Sequence, residues 1–228
     1  MEQILSSPQV DAVIICTENA RHYPLAKQAL QHKKHVLVEF PLANYADEVK
    51  DLIDTATNSN LALRCELIGL LTSAHLHRKA QTKAKQLQSL KCSFQGGYYR
   101  WVKQEALQGH HLQLAVGRIS AMWDLGGPLQ ITSCSISQRD DGYDLHAHFS
   151  GMTSTLHLHE HRSVNARRKT TWTGTFTDQT SLLTPPLGKR EGLFYQDLDW
   201  FVKAITQRKP GYVTHDTLLA IGKLIDSM

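Results

Sequence analysis

Five groups of residues have types and spacings that could do chemistry. Arg118 sits one residue from the centre of an apolar helical stripe, Ala115, Ile119 and Met122. A permanent guanidinium there needs a carboxylate partner. It is either a bidentate clamp for an acidic substrate or half of a structural ion pair, with Asp124 or Glu66. Glu66 ends a strand-like run. A glutamate at a strand end beside a cleft has a raised pKa and can act as an acid; a surface or helix-capping glutamate is the plainer reading. Tyr98, Tyr99, Arg100 and Trp101 put aromatic faces beside a cation, which suits stacking on a flat ring or core packing. His146, His148, His157, His159 and His161 alternate along two segments, and HxH on a strand puts both rings on one face. Four rings could hold a metal, but no carboxylate or cysteine is interleaved for it, so no metal is expected. A polar sheet floor under an acidic ligand, or a solvated face, fits better. Cys16, Cys65, Cys92 and Cys134 show no CxxC spacing and read as reduced core thiols of a cytoplasmic protein.

The elements that must position these residues fall into two regimes. Val10–Cys16, His35–Phe40 and Leu61–Glu66 are apolar, β-branched runs of the kind buried parallel strands require. Between them, residues 20–33 and the segment from Asn44 carry apolar residues at helical spacing. Asn44 with Asp47 predicts a cap, and Tyr45, Ala46, Val49, Leu52, Ile53 and Ala56 the buried stripe. Lys33, Lys34 and His35 read as a solvated helix end. Strand–helix–strand–helix–strand with short connections means parallel pairing and right-handed crossovers. Beyond residue 86, Leu87–Trp101 reads as a strand, 110–125 as a helix, and 129–138, 142–150, 152–160 and 168–176 as antiparallel strands. Helices at 190–206 and from Thr214 to 227 close the chain. The expectation is an α/β part over residues 1–85 and an α+β part over 86–228.

Composition excludes several classes. The 228 residues are 41% hydrophobic and 20% charged, as in a globular protein rather than a disordered chain. No apolar run reaches the roughly 18 residues of a membrane span, and the first residues lack a signal peptide's pattern. The net charge of +4 comes from interspersed charges, so no nucleic acid partner is expected.

Thr17, Asn19 and His22, then Lys34-His35-Val36 and Glu39-Phe40-Pro41, form an ordered set. It resembles the glucose–fructose oxidoreductase / inositol dehydrogenase (Gfo/Idh/MocA-type) superfamily, in which a Glu-Lys-Pro motif ends a strand and a nicotinamide cofactor crosses the strand tips. Glu66–Leu71, Gly117–Ser120, Asp124–Gly126 and Gly192–Asp197 resemble its biliverdin reductase branch, the cyanobacterial form in particular. The resemblance implies a partial Rossmann-like parallel sheet followed by a domain with a large, mostly antiparallel sheet. It implies NAD(P)H-dependent hydride delivery to a bilin. It also implies catalytic roles for Glu66 and Arg118, and cofactor contacts from Thr17, Asn19, His22, Glu39, Phe40 and Pro41. Arg118, Tyr98, Arg100, Trp101, His146 and His148 become candidates for substrate binding.

Three departures set the alternatives. No G-x-G-x-x-G occurs in the sequence, and this turn holds the pyrophosphate in a dinucleotide domain. The similarity starts just before the fourth strand of such a domain, so two βα units are expected to be absent, roughly 60 to 70 residues. Either the natural protein is longer, or the chain is truncated and its first strand presents an unpaired edge that an oligomer or partner covers. That counts against NAD(P)H binding by this chain alone. Phe40 replaces a proton-donating lysine or tyrosine, and Leu67 and Gly69 replace a histidine and a glutamate of the bilin branch. The two function classes are a biliverdin reductase-like oxidoreductase and a degenerate relative that binds a bilin or a protein partner without redox activity.

Overall fold

The structure, a computed structural model, describes residues 2–183 and 192–227. After a short helix α1 (Glu2–Leu5), three strands alternate with two helices: β1 (Ala12–Ile15), α2 (Asn19–Gln31), β2 (His35–Glu39), α3 (Ala46–Asn58) and β3 (Leu63–Glu66). The sheet is parallel in the order β1-β2-β3, with Ile15 opposite Val38 and Glu39 opposite Glu66. Next come α4 (Ser73–Ala84), β4 (Leu87–Gly97), α5 (Arg100–Leu107) and α6 (Val116–Gly126). Strands β5 (Gln130–Arg139), β6 (Gly142–Ser150), β7 (Thr155–Ser163) and β8 (Lys169–Phe176) follow, then helices α7 (Leu193–Gln207) and α8 (His215–Asp226). The second sheet runs β5-β6-β7-β4-β8, antiparallel except for the β4–β7 pair. This is the expected Rossmann-like sheet plus a large, mostly antiparallel one. No helix among the described residues is long and apolar enough to cross a membrane.

The chain forms two compact units. One runs through Ile68 and includes the C-terminal helices up to Asp226; the other begins at Gly69 and holds the five-stranded sheet. The sequence reading had put residues 1–85 in one part and 86–228 in the other. In the first unit, α2 buries Ala26, Ala29 and Leu30, and α3 buries Val49, Leu52 and Ala56, while β2 supplies Val36, Leu37 and Val38. Among the described residues β1 pairs only with β2, and Ile14 on it is 54% exposed.

Several expectations need correction. The cap of α3 is not Asn44: Tyr45 holds the N-cap position and its side chain does not cap the helix, and the Ala46 N–H donates 2.6 Å to the Asp226 carboxylate of α8. A carboxylate from a distant helix thus satisfies the orphan donor, and Tyr45 is exposed rather than in the stripe. Lys34 is buried, its ammonium donating 2.8 Å to the Ser7 carbonyl, rather than solvated. Cys16 is exposed, beyond the end of β1, and Cys134 half-buried; Cys65 and Cys92 are buried, and all four thiols are free. The strand from Leu87 stops at Gly97, so Arg100 and Trp101 open a helix. α4, capped by Thr72 Oγ1 on His75 N–H, carried no expectation. The strand expected at 152–160 lies at 155–163, and positions 190–191 of the expected helix lie outside the described residues.

Candidate active site and the sheet networks

The C-terminal ends of β1, β2 and β3 bring Thr17, Glu39, Phe40, Pro41 and Glu66 to one edge of the parallel sheet. This is the edge where open α/β sheets bind ligands. His22 on α2 ties two of these loops together. It is 1% exposed; its Nδ1 lies 2.6 Å from the Pro41 carbonyl and its Nε2 3.1 Å from the Thr17 carbonyl. A neutral ring donates one of these bonds and an imidazolium both. Its place is that of a residue positioning the Phe40–Pro41 turn, whose peptide bond is cis. Asn19 is the first residue of α2. Phe40 and Glu39 are half-buried, and Pro41 is buried.

Glu66 is the chemically distinctive group of this edge. It is buried, and its carboxyl is pushed up to about 7, first by loss of solvent and then by Asp197, with Glu39 adding to the rise. Asp197 on α7 is itself 2% exposed and raised by burial. The Tyr212 hydroxyl donates 2.7 Å to Asp197 Oδ1 and accepts 3.0 Å from the Leu67 N–H. The Arg64 guanidinium lies over the Tyr212 ring, 5.3 Å from its centroid. Burial, then Glu39 and Glu66, also raise the Cys16 thiol. Two carboxyls close together in little solvent favour keeping a proton. Asp197 belonged to a quoted segment without a role, and Tyr212 carried no signal beyond its residue type.

The second unit holds a buried charge network on one face of its sheet. Glu160 on β7 is fully buried and receives Arg118 Nη2 at 2.5 Å, Arg162 Nε at 2.6 Å and the Tyr143 hydroxyl at 3.0 Å. Both guanidiniums stack on Phe94, at 4.1 and 4.6 Å from its centroid. Arg118 Nη2 also donates to the Leu114 carbonyl at 2.6 Å. The carboxylate partner of Arg118 is therefore Glu160, neither Asp124 nor Glu66. Asp124 instead binds His75 Nε2 at 2.8 Å and Lys79 Nζ at 2.7 Å. Tyr98 joins the same side, buried edge-on to Tyr143 at 6.0 Å. Tyr99, Arg100 and Trp101 are exposed.

The histidines lie on the opposite face. Along β6, Tyr143, Leu145 and Ala147 are buried, so Asp144, His146 and His148 point the other way. The sheet thus separates Arg118 and Tyr98 from His146 and His148. His146 stacks on His159 at 4.3 Å and His148 on His157 at 4.2 Å, nearly parallel. A carboxylate is interleaved after all: Asp144 takes a bond from His161 at 2.8 Å and pairs with Arg139. Among the described residues no group of three or more His, Cys, Asp or Glu side chains could hold a metal.

Residues 1–67 match the oxidoreductase family with an NAD-binding Rossmann fold, Gfo/Idh/MocA. Biliverdin reductase A of Mus musculus is 27% identical over 228 residues, spanning 99% of this chain and 75% of the mouse protein. That family match covers the first 67 residues, whereas the similarity to biliverdin reductase A runs over nearly the whole chain. A crystal structure of biliverdin reductase from Synechocystis sp. PCC 6803, with biliverdin and NADP+, superposes with TM-score 0.78 at 24% identity, over 99% of this chain and 80% of that one. GenD2 from gentamicin A biosynthesis, with NAD, superposes with TM-score 0.83 at 16% identity, over 100% and 77%. Thr17, Asn19 and the Glu39–Pro41 turn lie at or just beyond the C-terminal ends of β1 and β2. The 228 residues contain no G-x-G-x-x-G turn of the kind that holds a pyrophosphate.

Proposed function

We propose that the chain forms the nicotinamide and substrate side of a biliverdin reductase-like oxidoreductase, acting on a bilin or related conjugated small molecule. The observation that carries this reading is Glu66, a buried carboxyl at a strand tip with a pKa of about 7. NAD(P)H, when bound, supplies a hydride. Reduction of a conjugated methine also needs a proton, and a donor titrating near neutral pH is best suited to give it. Glu66 fills that role in place of Phe40, which has no proton to give. Asp197, held by Tyr212, keeps negative charge close and so keeps the proton on Glu66. His22 fixes the Phe40–Pro41 turn against the Thr17 loop, giving the nicotinamide a shaped wall. Thr17, Asn19, Glu39, Phe40 and Pro41 are the remaining cofactor contacts. In the second unit, Arg100 and Trp101 are an exposed cation and ring, and Arg118 is engaged with Glu160.

The test is NADPH-dependent loss of biliverdin absorbance across pH 5 to 9, for the wild type and Glu66→Gln. The expected result is turnover that falls as pH rises through about 7 and a loss of roughly 100-fold in Glu66→Gln. Absence of bilin reduction, or an unchanged rate in Glu66→Gln, overturns the reading.

A further inference from the structure

On the histidine face of the large sheet, the ammonium of Lys91 has no carboxylate partner among the described residues. Lys91 on β4 stands in register with His157 on β7 and Thr173 on β8, and His157 stands opposite His148 on β6. A cavity of about 420 Å³ opens at this place, lined by Ser89, Lys91, His148, Thr155, His157 and Thr175 among others, none of them a carboxylate. The carboxylate of this face, Asp144, pairs with His161 at 2.8 Å and His159 at 3.5 Å, towards the other end of the ladder. Four residues separate His161 from His157, about 13 Å along the strand, and Arg139 already occupies Asp144.

The titratable groups around His157 can be enumerated. β6 contributes His146, His148 and the distant Asp144; β7 contributes His159 and His161; β4 contributes Lys91. β8 contributes threonines opposite Lys91 and Ser93, and Lys169 opposite Gln95. Burial, then His148 and Lys91, hold the His157 imidazole down at about 4, and burial with the neighbouring histidines lowers His146. Stacked parallel rings do not converge their lone pairs on one point, so they do not form a metal cage. His146 Nδ1 and His157 Nε2 share a hydrogen bond at 3.3 Å, which leaves His157 Nδ1 and the His148 ring as groups beside the Lys91 ammonium. Clustered donors and cations without a counter-charge form an anion site. Its volume is within the usual range for small-molecule pockets.

We propose that this cavity binds a small carboxylate- or phosphate-bearing anion, held by the Lys91 ammonium, the rings of His148 and His157 and the hydroxyls of Ser89 and Thr155. The anion offsets the repulsion between Lys91 and the rings, so binding and protonation of His157 favour each other. Affinity therefore rises as pH falls. The site is independent of bilin reduction, and failure of the redox assay leaves it standing.

The test follows the histidine ring signals by NMR in the full chain, during pH titrations with inorganic phosphate, with succinate, and with sodium chloride at matched ionic strength. Phosphate or succinate is expected to raise the His157 midpoint saturably, by about half a pH unit or more, and to perturb the His148 ring signals; whichever anion acts names the group recognised. Lys91→Ala is expected to weaken that binding roughly tenfold. His157→Gln, which stays neutral, is expected to flatten its pH dependence. Lys91 is exposed and His157 half-buried on the solvent face of the sheet, and the unchanged remainder of the spectrum checks that these variants keep the fold. A shift equal to that in chloride, or the same shift in Lys91→Ala, overturns the proposal.

Discussion

Replacing Glu160 by glutamine keeps the shape of the side chain and removes one charge from the centre of the large sheet. Glu160 has no exposed surface, and it is the shared acceptor of Arg118, Arg162 and Tyr143. The side chains of Arg118 and Arg162 are 12% and 8% exposed, so neither recovers its hydration when the carboxylate goes. Breaking one partner out of a buried ion pair costs about 3–5 kcal/mol, because the surviving charge stays buried and uncompensated. Here two guanidiniums survive. Their stacking on Phe94 and the Arg118 bond to Leu114 remain, which keeps the cost near 4 kcal/mol rather than above it. At roughly 2–4 °C per kcal/mol for a chain of this size, the melting temperature drops by about 10 °C. Scanning calorimetry and urea titration of Glu160→Gln measure both. Adding Arg118→Met is expected to return part of the loss, since an apolar side chain leaves one fewer unpaired charge. A loss below about 1 kcal/mol in Glu160→Gln refutes the reasoning, because that is the range of a solvated surface pair.

Other outcomes follow from the same structure. Glu66 is raised in the fold from the ordinary 4.5 to about 7, so the folded chain holds more protons than the unfolded one between those values, and stability falls as pH rises through them. Glu66→Gln should remove this slope, gaining about 1–2 kcal/mol relative to wild type at pH 8 over pH 4.5, after solvent screening; parallel slopes in urea melts count against it. Asp124 is lowered by His75 and Lys79 against the opposing effect of burial, so its stabilisation is present above the ordinary 3.8 and lost as pH falls through the lowered value. Asp124→Asn should cost about 1–3 kcal/mol at pH 7, since it removes the charge that the buried His75 and Lys79 share and leaves one acceptor oxygen in place of two, and an unchanged melting temperature refutes this. At Gly142 an added Cβ would lie 1.8 Å from the Arg162 carbonyl oxygen. Gly142→Ala must push β6 from β7 and is expected to cost about 2–3 kcal/mol, read as loss of hydrogen-exchange protection along β6.

The parallel half of the fold was legible because its strands are short, continuously apolar and separated by helical patterns. Those patterns follow from burial on both faces of a sheet. The order of the five-stranded sheet was not, because alternation marks a strand without naming its neighbour, and β4 pairs parallel with β7 across intervening helices. α4 escaped notice because its apolar face is thin: His75 and Arg78 are the residues it buries. For the site, residue types flagged Glu66 and Arg118, but their partners came from elsewhere in the chain, Asp197 from α7 and Glu160 from β7. Glu160 had a usable signal. It falls in step with Leu156 and Leu158, on the buried side of its strand, where a carboxylate requires a cation. Likewise His146 and Arg118 looked compatible with one acidic ligand until strand parity put them on opposite faces of the sheet.

The account rests on Glu66 being a carboxylic acid poised to give a proton near neutral pH at the strand-tip edge. Carbon-13 NMR of its side-chain carboxyl, titrated with and without biliverdin, measures this directly. A midpoint near 7 that moves further when biliverdin is present agrees with the account. A midpoint at the ordinary value for glutamate, unmoved by biliverdin, contradicts it.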